Sequence, residues 1–187
     1  AGAYASFRPH YPDSLFTWLA AHSPSQERAL DIACGNGQAS RPLLSHFHQV
    51  LACDGSVEQL SAASDLQGID CFAADASAQP LVNASLDLII VAQALHWFAT
   101  PAFFAEVRRL LKPEGLFCAW CYSLLRIDET LDAVLDDFYW NTLGDYWPSG
   151  RASVDAGYRD IQPPFARLEV PEFAIELEWD LQQLLGY

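Results

Sequence analysis

The sequence predicts an α/β domain built on a doubly wound, mostly parallel sheet. Short apolar runs alternate along the chain with segments of helical periodicity, which is how parallel strands joined by crossover helices appear in a sequence. Residues 88–92 are apolar at every position, so we expect a central strand there with both faces covered. A length of 187 residues fits one such domain and is too short for two.

Five segments have the composition of strands in this sheet. They are residues 29–33, 50–53, 70–73, 86–92 and 116–120. Ahead of the first strand, residues 12–14 lead into a short amphipathic helix. A second helix is predicted from Thr100, which suits an N-cap, with Pro101 at the first helical position, and it ends before a turn at residues 112–115.

The periodicity changes after the fifth strand. Residues 128–143 have the pattern of an acidic helix, and residues 144–165 are rich in proline, glycine and aromatic side chains. Residues 168–179 alternate apolar and acidic side chains, which predicts an exposed antiparallel strand. A last short helix is expected from Leu181.

Charge and cysteine content bear on the partners and the location of the protein. Its formal net charge is -14, from 10 lysine and arginine residues against 24 aspartate and glutamate residues. Such a surface repels nucleic acid and anionic membranes, so we expect neither as a partner. Five scattered cysteines and the lack of a long apolar run predict a soluble, cytoplasmic protein, whose oligomeric state stays open.

Cys118 and Cys121 have the spacing of a metal or redox pair. Residues three apart on a strand point to opposite faces, however, and no second pair of cysteine or histidine residues completes a set of four ligands. We therefore predict no metal site.

The strongest chemical signal is the turn after the first strand, at residues 31–37 (Asp-Ile-Ala-Cys-Gly-Asn-Gly). Its small residues let a ligand lie against the backbone at the carboxyl end of the strand, where open α/β sheets bind ligands. A helix expected to begin near Gln38 offers free N–H groups to a carboxylate, and Asp31 is suited to an ammonium group. Asp54 closes the second strand, where its carboxylate can accept both ribose hydroxyls. These features favour a methylsulfonium nucleoside as the cofactor.

A nicotinamide dinucleotide is the alternative cofactor. Gly35 and Gly37 are compatible with it, but its loop normally has a third glycine or alanine three residues further on, and Ser40 stands there. An NAD(P)-dependent oxidoreductase of the Rossmann type therefore stays the second choice. A module that binds the cofactor without turnover is the third.

Further motifs lie at residues 4–12, 75–76, 93–98 and 110–115, and the segment Gln-Ala-Leu-His-Trp-Phe at 93–98 is more specific than the glycine loop. With that loop and Asp54, they resemble the class I S-adenosylmethionine-dependent methyltransferases of the methyltransferase type 11 domain, in the group related to trans-aconitate methyltransferase. The resemblance implies a Rossmann-like fold and S-adenosyl-L-methionine as the cofactor, with S-adenosyl-L-homocysteine as its product. It also implies a small-molecule acceptor that is methylated on a carboxylate or a hydroxyl group.

The resemblance implies roles for individual residues as well. Those expected to bind the cofactor are Asp31, Ala33, Gly35, Gly37, Asp54, Gly55, Asp75, Ala76 and Gln93. Those expected on the acceptor side are Tyr4, Arg8, Tyr11, Trp97 and Tyr146, and aromatic side chains between Phe138 and Trp147 are further candidates to line the acceptor pocket. His96 is the candidate catalytic residue, either as a base or as a hydrogen-bonding partner of the acceptor.

A complete fold of this type resembles a sheet of seven strands, and the sequence after the fifth strand does not supply a final hairpin. Because the periodicity changes after the fifth strand, we expect a cofactor-binding core over residues 1–125 and a helical, aromatic region on the substrate side over residues 126–187. The sheet is expected to lack its last two strands, which leaves one edge exposed.

Overall fold

A parallel β-sheet runs through the centre of the molecule, whose computed structural model describes residues 9–63 and 66–186. The strands are β1 (Arg28–Ile32), β2 (Gln49–Asp54), β3 (Ile69–Ala73), β4 (Leu86–Ala92) and β5 (Leu111–Trp120). Their order across the sheet is β3-β2-β1-β4-β5, and every pairing is parallel. The predicted doubly wound sheet is confirmed, with the reversal of strand order between β1 and β4.

Helices of very different length precede, connect and follow the strands. They are α1 (Asp13–Ala21), α2 (Ser40–Leu43), α3 (Val57–Ala62), α4 (Pro101–Leu110), α5 (Glu129–Asp137), α6 (Arg151–Asp155) and α7 (Leu181–Gly186). Single 3-10 turns lie at Leu95–Trp97 and Gly144–Tyr146. The predicted start of α4 is confirmed, because the Thr100 hydroxyl accepts a hydrogen bond from the Phe103 N–H and Pro101 is the first helical residue. Among the described residues, no helix combines the length and the apolar character needed to span a bilayer.

Strand β4 is an inner strand between β1 and β5 rather than the middle one, and it is buried on both faces, as its continuous apolar sequence predicts. On one face Ile90 belongs to a cluster with Phe16 of α1. On the other face Ile89 belongs to a second cluster with Phe103 of α4. All four side chains are fully buried, and burial of each contributes about 1.5–3 kcal/mol to stability. The two clusters fix the position of the sheet's carboxyl end.

The Cys-x-x-Cys pair is split between these two clusters. Cys118 packs with the α1 side and Cys121 with the α4 side, as predicted for residues three apart. All five cysteines are free thiols. Burial raises the pKa of Cys118 to about 12 and that of Cys121 to about 11, so both thiols stay protonated at neutral pH.

Strand β5 begins five residues earlier than predicted, at Leu111. Leu86 pairs with Leu111 but Leu88 pairs with Leu116, so the predicted turn at residues 112–115 is accommodated as an irregularity inside the strand. Glu114 adopts a φ of 62° there. The predicted turn is present at these residues. Because β5 pairs with β4 both before and after it, the turn interrupts the strand instead of preceding it.

Two predicted elements differ in the region after β5. The helix expected over residues 128–143 is α-helical only to Asp137 and continues as a π-helical turn at Phe138–Thr142. The antiparallel strand expected over residues 168–179 is wrong, because the segment has no regular structure. A strand needs backbone partners, and no described strand pairs with this segment. Its apolar residues Phe173 and Ile175 nevertheless pack against the α1 side of the core.

The helix after the glycine loop is shorter and later than predicted. It begins at Ser40 rather than near Gln38 and has only four residues. Pro42 is the third of them, where the missing N–H costs no hydrogen bond because the first four N–H groups of a helix lack partners within it. Such a short helix supplies little dipole, so the loop backbone itself offers most of the donors at this place.

Candidate cofactor and acceptor site

The loop after β1 has a left-handed backbone at three positions. Ala33, Gly35 and Gly37 have φ angles of 59°, 54° and 77°. A Cβ atom added at Gly35 would meet nothing within 4 Å, whereas one at Gly37 would lie 2.1 Å from Cδ2 of Leu66. The loop therefore keeps open space beside Gly35 and is covered by a leucine at Gly37.

Asp54, at the end of β2, faces this loop. Its Oδ2 accepts a hydrogen bond of 2.9 Å from the Gly35 N–H, and its Oδ1 accepts one of 2.9 Å from the Ser56 N–H. The Cys34 N–H also donates to the Cys53 carbonyl, at 3.0 Å. A carboxylate has about four acceptor positions, so Asp54 retains capacity for two hydroxyl donors. The structure thus brings Asp54 and the glycine loop together, with Gly55 next in the chain.

Asp31 is a buried carboxylate with one unsatisfied oxygen. Its side chain is 1% exposed, and Ser40 donates a 2.5 Å hydrogen bond to Oδ2. Oδ1 is buried and has no partner among the described residues. Burial raises the pKa of Asp31 to about 7; the bond from Ser40 opposes the rise and the negative charge of Asp54 adds to it. Such a group favours a cationic ligand, which would stabilise its ionised form.

Gln93 provides the complementary unsatisfied group. It follows β4 with a φ of 60°, and its N–H donates to the Trp120 carbonyl at 2.9 Å. Its side-chain Nε2 is buried and lacks a partner among the residues described. Because Asp31 pairs with Ile90 of β4, the two unsatisfied groups lie on neighbouring strand ends. Leaving a buried polar atom unpaired costs about 1–3 kcal/mol, which a ligand with one ammonium and one carboxylate group would recover.

Asp75 and Ala76 follow β3, further along the same edge of the sheet. Asp75 is exposed, and its Oδ1 accepts a 2.7 Å hydrogen bond from the Ser77 N–H. The Gln79 amide donates to the Asp75 carbonyl at 2.7 Å and holds the turn. The structure places this pair at the predicted strand end, beyond Asp54.

His96 lies in the 3-10 turn after β4. Its Nδ1 is 3.1 Å from the Tyr158 hydroxyl, and the backbone of Gly150 lies against the ring, since a Cβ there would be 2.9 Å from Cδ2. Burial, followed by the positive charge of Arg151, lowers the pKa of His96. Burial is also the main cause of the raised pKa of Tyr158. The pair is therefore a neutral imidazole beside a protonated phenol.

The predicted acceptor-side residues do not form one group. Tyr4 and Arg8 lie outside the described residues. Tyr11 is buried and packs edge-on against Trp120, with ring centroids 5.4 Å apart. Trp97 and Tyr146 are 65% and 82% exposed, so the structure does not bring them into a pocket.

Tyr11 instead lines a cavity of about 360 Å³ at the carboxyl end of β5. Residues 9–12, 120–126 and 173–179 supply most of its walls, which are largely apolar. The Gln38 amide donates to the Pro9 carbonyl, which connects this cavity's rim to the glycine loop. Trp120 forms another wall, and its indole Nε1 is buried without a partner among the described residues.

A cluster around Arg151 was missed by the sequence analysis. Arg151 Nε donates to the Tyr139 hydroxyl and, at 3.2 Å, to Oδ1 of Asp155. The same oxygen accepts hydrogen bonds from Tyr139 at 2.8 Å and from Ser123 at 3.0 Å. The one available signal was composition, because Arg151 is the only lysine or arginine between Arg126 and Arg159.

This geometry defines a class of protein, an α/β domain with unsatisfied polar groups and an open glycine loop at the carboxyl end of its sheet, where such domains bind ligands. The family described as "Methyltransferase domain" matches residues 30–119. A Dictyostelium discoideum protein named as a methyltransferase is 33% identical over 189 residues, which covers 99% of this chain and 72% of that protein. A Saccharomyces cerevisiae protein named as an S-adenosylmethionine-dependent methyltransferase is 29% identical over 130 residues, or 64% of this chain and 44% of that protein.

Solved structures agree with these relatives. That of a type II methyltransferase from Anaeromyxobacter dehalogenans superimposes with a TM-score of 0.89 and is 41% identical, covering 96% of this chain and 77% of that one. An S-adenosylmethionine-dependent methyltransferase from Aquifex aeolicus shares the fold alone, with a TM-score of 0.53 and 18% identity over 68% of this chain and 78% of that one. The chain belongs to the class I S-adenosylmethionine-dependent methyltransferases.

Family membership replaces the nicotinamide alternative with S-adenosylmethionine as the cofactor. The unsatisfied atoms of Asp31 and Gln93 and the open space beside Gly35 fit its amino acid portion. The chain spans 72% of the Dictyostelium relative but less than half of several other curated relatives, such as the one from Saccharomyces cerevisiae at 44%. The closer relationship to trans-aconitate methyltransferase stays a prediction.

Proposed function

We propose that this protein transfers the methyl group of S-adenosylmethionine to a small-molecule acceptor that carries a carboxylate or a hydroxyl group. The observation that carries the cofactor part is the pair of unsatisfied buried groups, Oδ1 of Asp31 and Nε2 of Gln93, on adjacent strand ends. The largely apolar cavity of about 360 Å³ beside Tyr11 and Trp120 has the size of a small-molecule site and supports the acceptor part.

In this proposal the successive strand ends at the carboxyl edge of the sheet bind different parts of the cofactor. Asp31 and Gln93 hold the ammonium and carboxylate groups of the methionine portion, beside the backbone of Ala33, Gly35 and Gly37. Asp54 and Gly55 take the ribose, and Asp75 and Ala76 take the adenine. Residues 1–125 then form the cofactor-binding core, and residues 126–187 form the substrate side.

The cofactor, when bound, supplies a methyl group that is already activated by the sulfonium charge. The protein therefore gains rate mainly by aligning the acceptor and excluding water, and a carboxylate acceptor needs no base. His96 is suited to alignment. Because Tyr158 keeps its proton, its hydroxyl can donate to Nδ1, and the ring proton then stays on Nε2 as a donor. We therefore assign His96 to holding the acceptor rather than to taking its proton.

The partners and the location follow from charge and thiol chemistry. A net charge of -14 opposes nucleic acid and anionic membranes as partners, which is consistent with a small-molecule acceptor. Five free cysteines suit a reducing compartment, so we place the protein in the cytoplasm.

Calorimetric titration with S-adenosylhomocysteine tests the cofactor site. We expect binding of one molecule per chain and none of NADH, whereas failure to bind S-adenosylhomocysteine would refute the proposal. Transfer of a labelled methyl group is then followed in a small-molecule extract and in its macromolecular fraction. Label in the macromolecular fraction alone contradicts a small-molecule acceptor, and label in neither fraction favours a binding module without turnover.

A further inference from the structure

The guanidinium group of Arg151 is held in place from one side. Toward the residues that the structure describes, only its Nε makes hydrogen bonds, to the Tyr139 hydroxyl and to Asp155. Its Cζ lies 5.0 Å from the centroid of the Tyr139 ring and 4.9 Å from that of the Trp147 ring. These rings are themselves in contact, with centroids 4.8 Å apart. The aromatic pair and the carboxylate fix both the position and the plane of the cation.

The other two nitrogens of this group are available. Nη1 and Nη2 make no hydrogen bond or ion pair with any residue that the structure describes, and the Arg151 side chain is 26% exposed. A guanidinium group presents its Nη atoms as a planar pair of donors, which matches the two oxygens of a carboxylate. The position is therefore an oriented pair of donors that no described residue engages.

The negative charge of Asp155 leaves Nη1 and Nη2 of Arg151 able to donate to a carboxylate. Its Oδ1 receives hydrogen bonds from Tyr139 and Ser123 as well as from Arg151. Burial raises the pKa of Tyr139 to about 12, with the bond to Asp155 as the next cause, so the phenol keeps its proton and remains a donor. The carboxylate is thus shared among three donors, and it approaches the guanidinium from the Nε side only.

This cluster lies beside the acceptor site. Gly150, which directly precedes Arg151, lies against the ring of His96, and burial, followed by the charge of Arg151, lowers the pKa of that ring. Ser123, which bonds Asp155, lines the cavity at the end of β5 together with Cys121. Arg151 does not itself line this cavity. It stands between His96, which follows β4, and Asp155, which bonds Ser123 at the cavity's rim after β5, and so lies next to the proposed acceptor.

We propose that Arg151 binds a carboxylate of the methyl acceptor through Nη1 and Nη2. This inference rests on the proposed function and narrows its acceptor class. Both oxygens of that carboxylate are engaged by the guanidinium group, which makes it the recognition group and leaves methylation to a second oxygen of the same molecule. That oxygen gains the methyl group as the bond between methyl and sulfur breaks and S-adenosylhomocysteine leaves, and a hydroxyl releases its proton to water. In a chain with a net charge of -14, one oriented cation is what an anionic acceptor requires.

The test measures acceptor binding separately from cofactor binding. The protein is first loaded with S-adenosylhomocysteine, and failure at this step refutes the proposed function. The loaded protein is then titrated with para-hydroxybenzoate, meta-hydroxybenzoate and mandelate, and with the primary amide of each. The two members of each pair carry the same hydroxyl group. They differ only in that the acid has a charged carboxylate where the amide has a neutral carboxamide.

We expect at least one acid to bind about ten-fold or more tightly than its amide. Arg151→Gln should abolish this preference while it leaves the affinity for S-adenosylhomocysteine within about two-fold, which shows that the variant is folded. Arg151→Lys should restore only part of it, because a lysine keeps the charge but loses the paired donors. Arg159→Gln is the matched control, since it removes an equal charge from an exposed position eight residues further on.

Several results would overturn the proposal for Arg151 and leave the cofactor site intact. One is equal binding of acids and amides by the loaded wild-type protein, and another is binding of neither. A preference for acids that survives in Arg151→Gln, or is lost equally in Arg159→Gln, would also overturn it. Competition by inorganic phosphate as strong as that by the acids would contradict a site shaped for a planar carboxylate.

Discussion

The two halves of the proposed site differ in whether their polar groups are hydrogen bonded within the protein. On the cofactor side, Asp31 and Gln93 sit on buried strand ends with atoms that no described residue satisfies. On the proposed acceptor side, Tyr139, Arg151 and Asp155 satisfy one another, and the Nη donors of the arginine are left unused by the described residues. The unsatisfied atoms of the cofactor side lower the stability of the protein without ligand and suit one particular ligand. The cluster around Arg151 is stable without any ligand. We expect cofactor binding to be strict and acceptor binding to be adjustable.

The largest effect should come from filling the cofactor side. Gly35→Val places a branched side chain where φ is 54° and where the space is now open. We expect affinity for S-adenosylhomocysteine to fall on the order of 1000-fold, about 4 kcal/mol, in calorimetry. Gly144→Val is the matched control, because nothing lies within 4 Å of its added Cβ either and it is far from the loop in sequence. Equal losses in both variants would contradict a ligand beside Gly35.

A smaller effect is expected when one unsatisfied partner is removed. Gln93→Leu deletes the buried donor with little change of volume, and Asp31→Asn removes the charge of the buried acceptor. Each should weaken S-adenosylhomocysteine binding by about 10- to 100-fold, since hydrogen bonds to charged groups contribute about 1.5–3 kcal/mol. If both variants bind as the wild type does, these atoms do not contact the amino acid portion.

The raised pKa of Asp31 gives a prediction about pH. Above a pH of about 7 the carboxylate is ionised and attracts an ammonium group; below it the carboxyl is protonated. Affinity for S-adenosylhomocysteine should therefore be level above pH 7 and fall towards about ten-fold per unit below it. Asp31→Asn should bind with less dependence on pH over the same range. A flat wild-type profile between pH 5 and 8 would contradict this account.

The same group acts on stability with the opposite sign. In the unfolded chain Asp31 loses its proton near the ordinary value of 3.8, but the folded protein without ligand keeps it to about 7. The folded state then binds more protons between these values, so this group's contribution to the free energy of unfolding declines as pH rises from about 4 to 7. Thermal unfolding should show Asp31→Asn gaining on the wild type as pH increases.

The smallest effect is expected on the acceptor side. Tyr158→Phe removes the hydroxyl that contacts His96 but keeps the buried ring. We expect about a five- to ten-fold loss of methyl transfer, from about 1–1.4 kcal/mol, with unchanged binding of S-adenosylhomocysteine. A loss of cofactor affinity in this variant would mean that the two halves are coupled through β4.

The fold and the cofactor side could be predicted because their signals are local. The apolar run of β4 and the small residues between Asp31 and Gly37 determine a buried strand and an open loop with little reference to the rest of the chain. The interruption of β5 at residues 112–115 depends on where pairing with β4 resumes, which the sequence does not show. The alternation at residues 168–179 indicates a strand, but a strand also needs a neighbour.

The acceptor side depends on contacts that are distant in sequence. Ser123 lies 32 residues before Asp155, and His96 lies 62 residues before Tyr158, yet each pair is hydrogen bonded. No periodicity links such residues, so Arg151 could not be placed, and the high exposure of Trp97 and Tyr146 was not predicted. Their role on the acceptor side, like that of residues 126–187, stays a prediction.

The left-handed backbone at Ala33 and Gln93 has a consequence for the divergence of this family. Both residues have φ angles near 60° although neither is glycine. The direction in which the chain leaves β1 and β4 is therefore set by the main chain and not by one particular side chain. A third of the sequence is shared with the Dictyostelium relative, while the fold around these exits is common to proteins that share far less. A main chain that sets the two strand exits keeps Asp31 and Gln93 in place while positions elsewhere change, and the acceptor can then vary without rebuilding the place where we propose that the methyl donor binds.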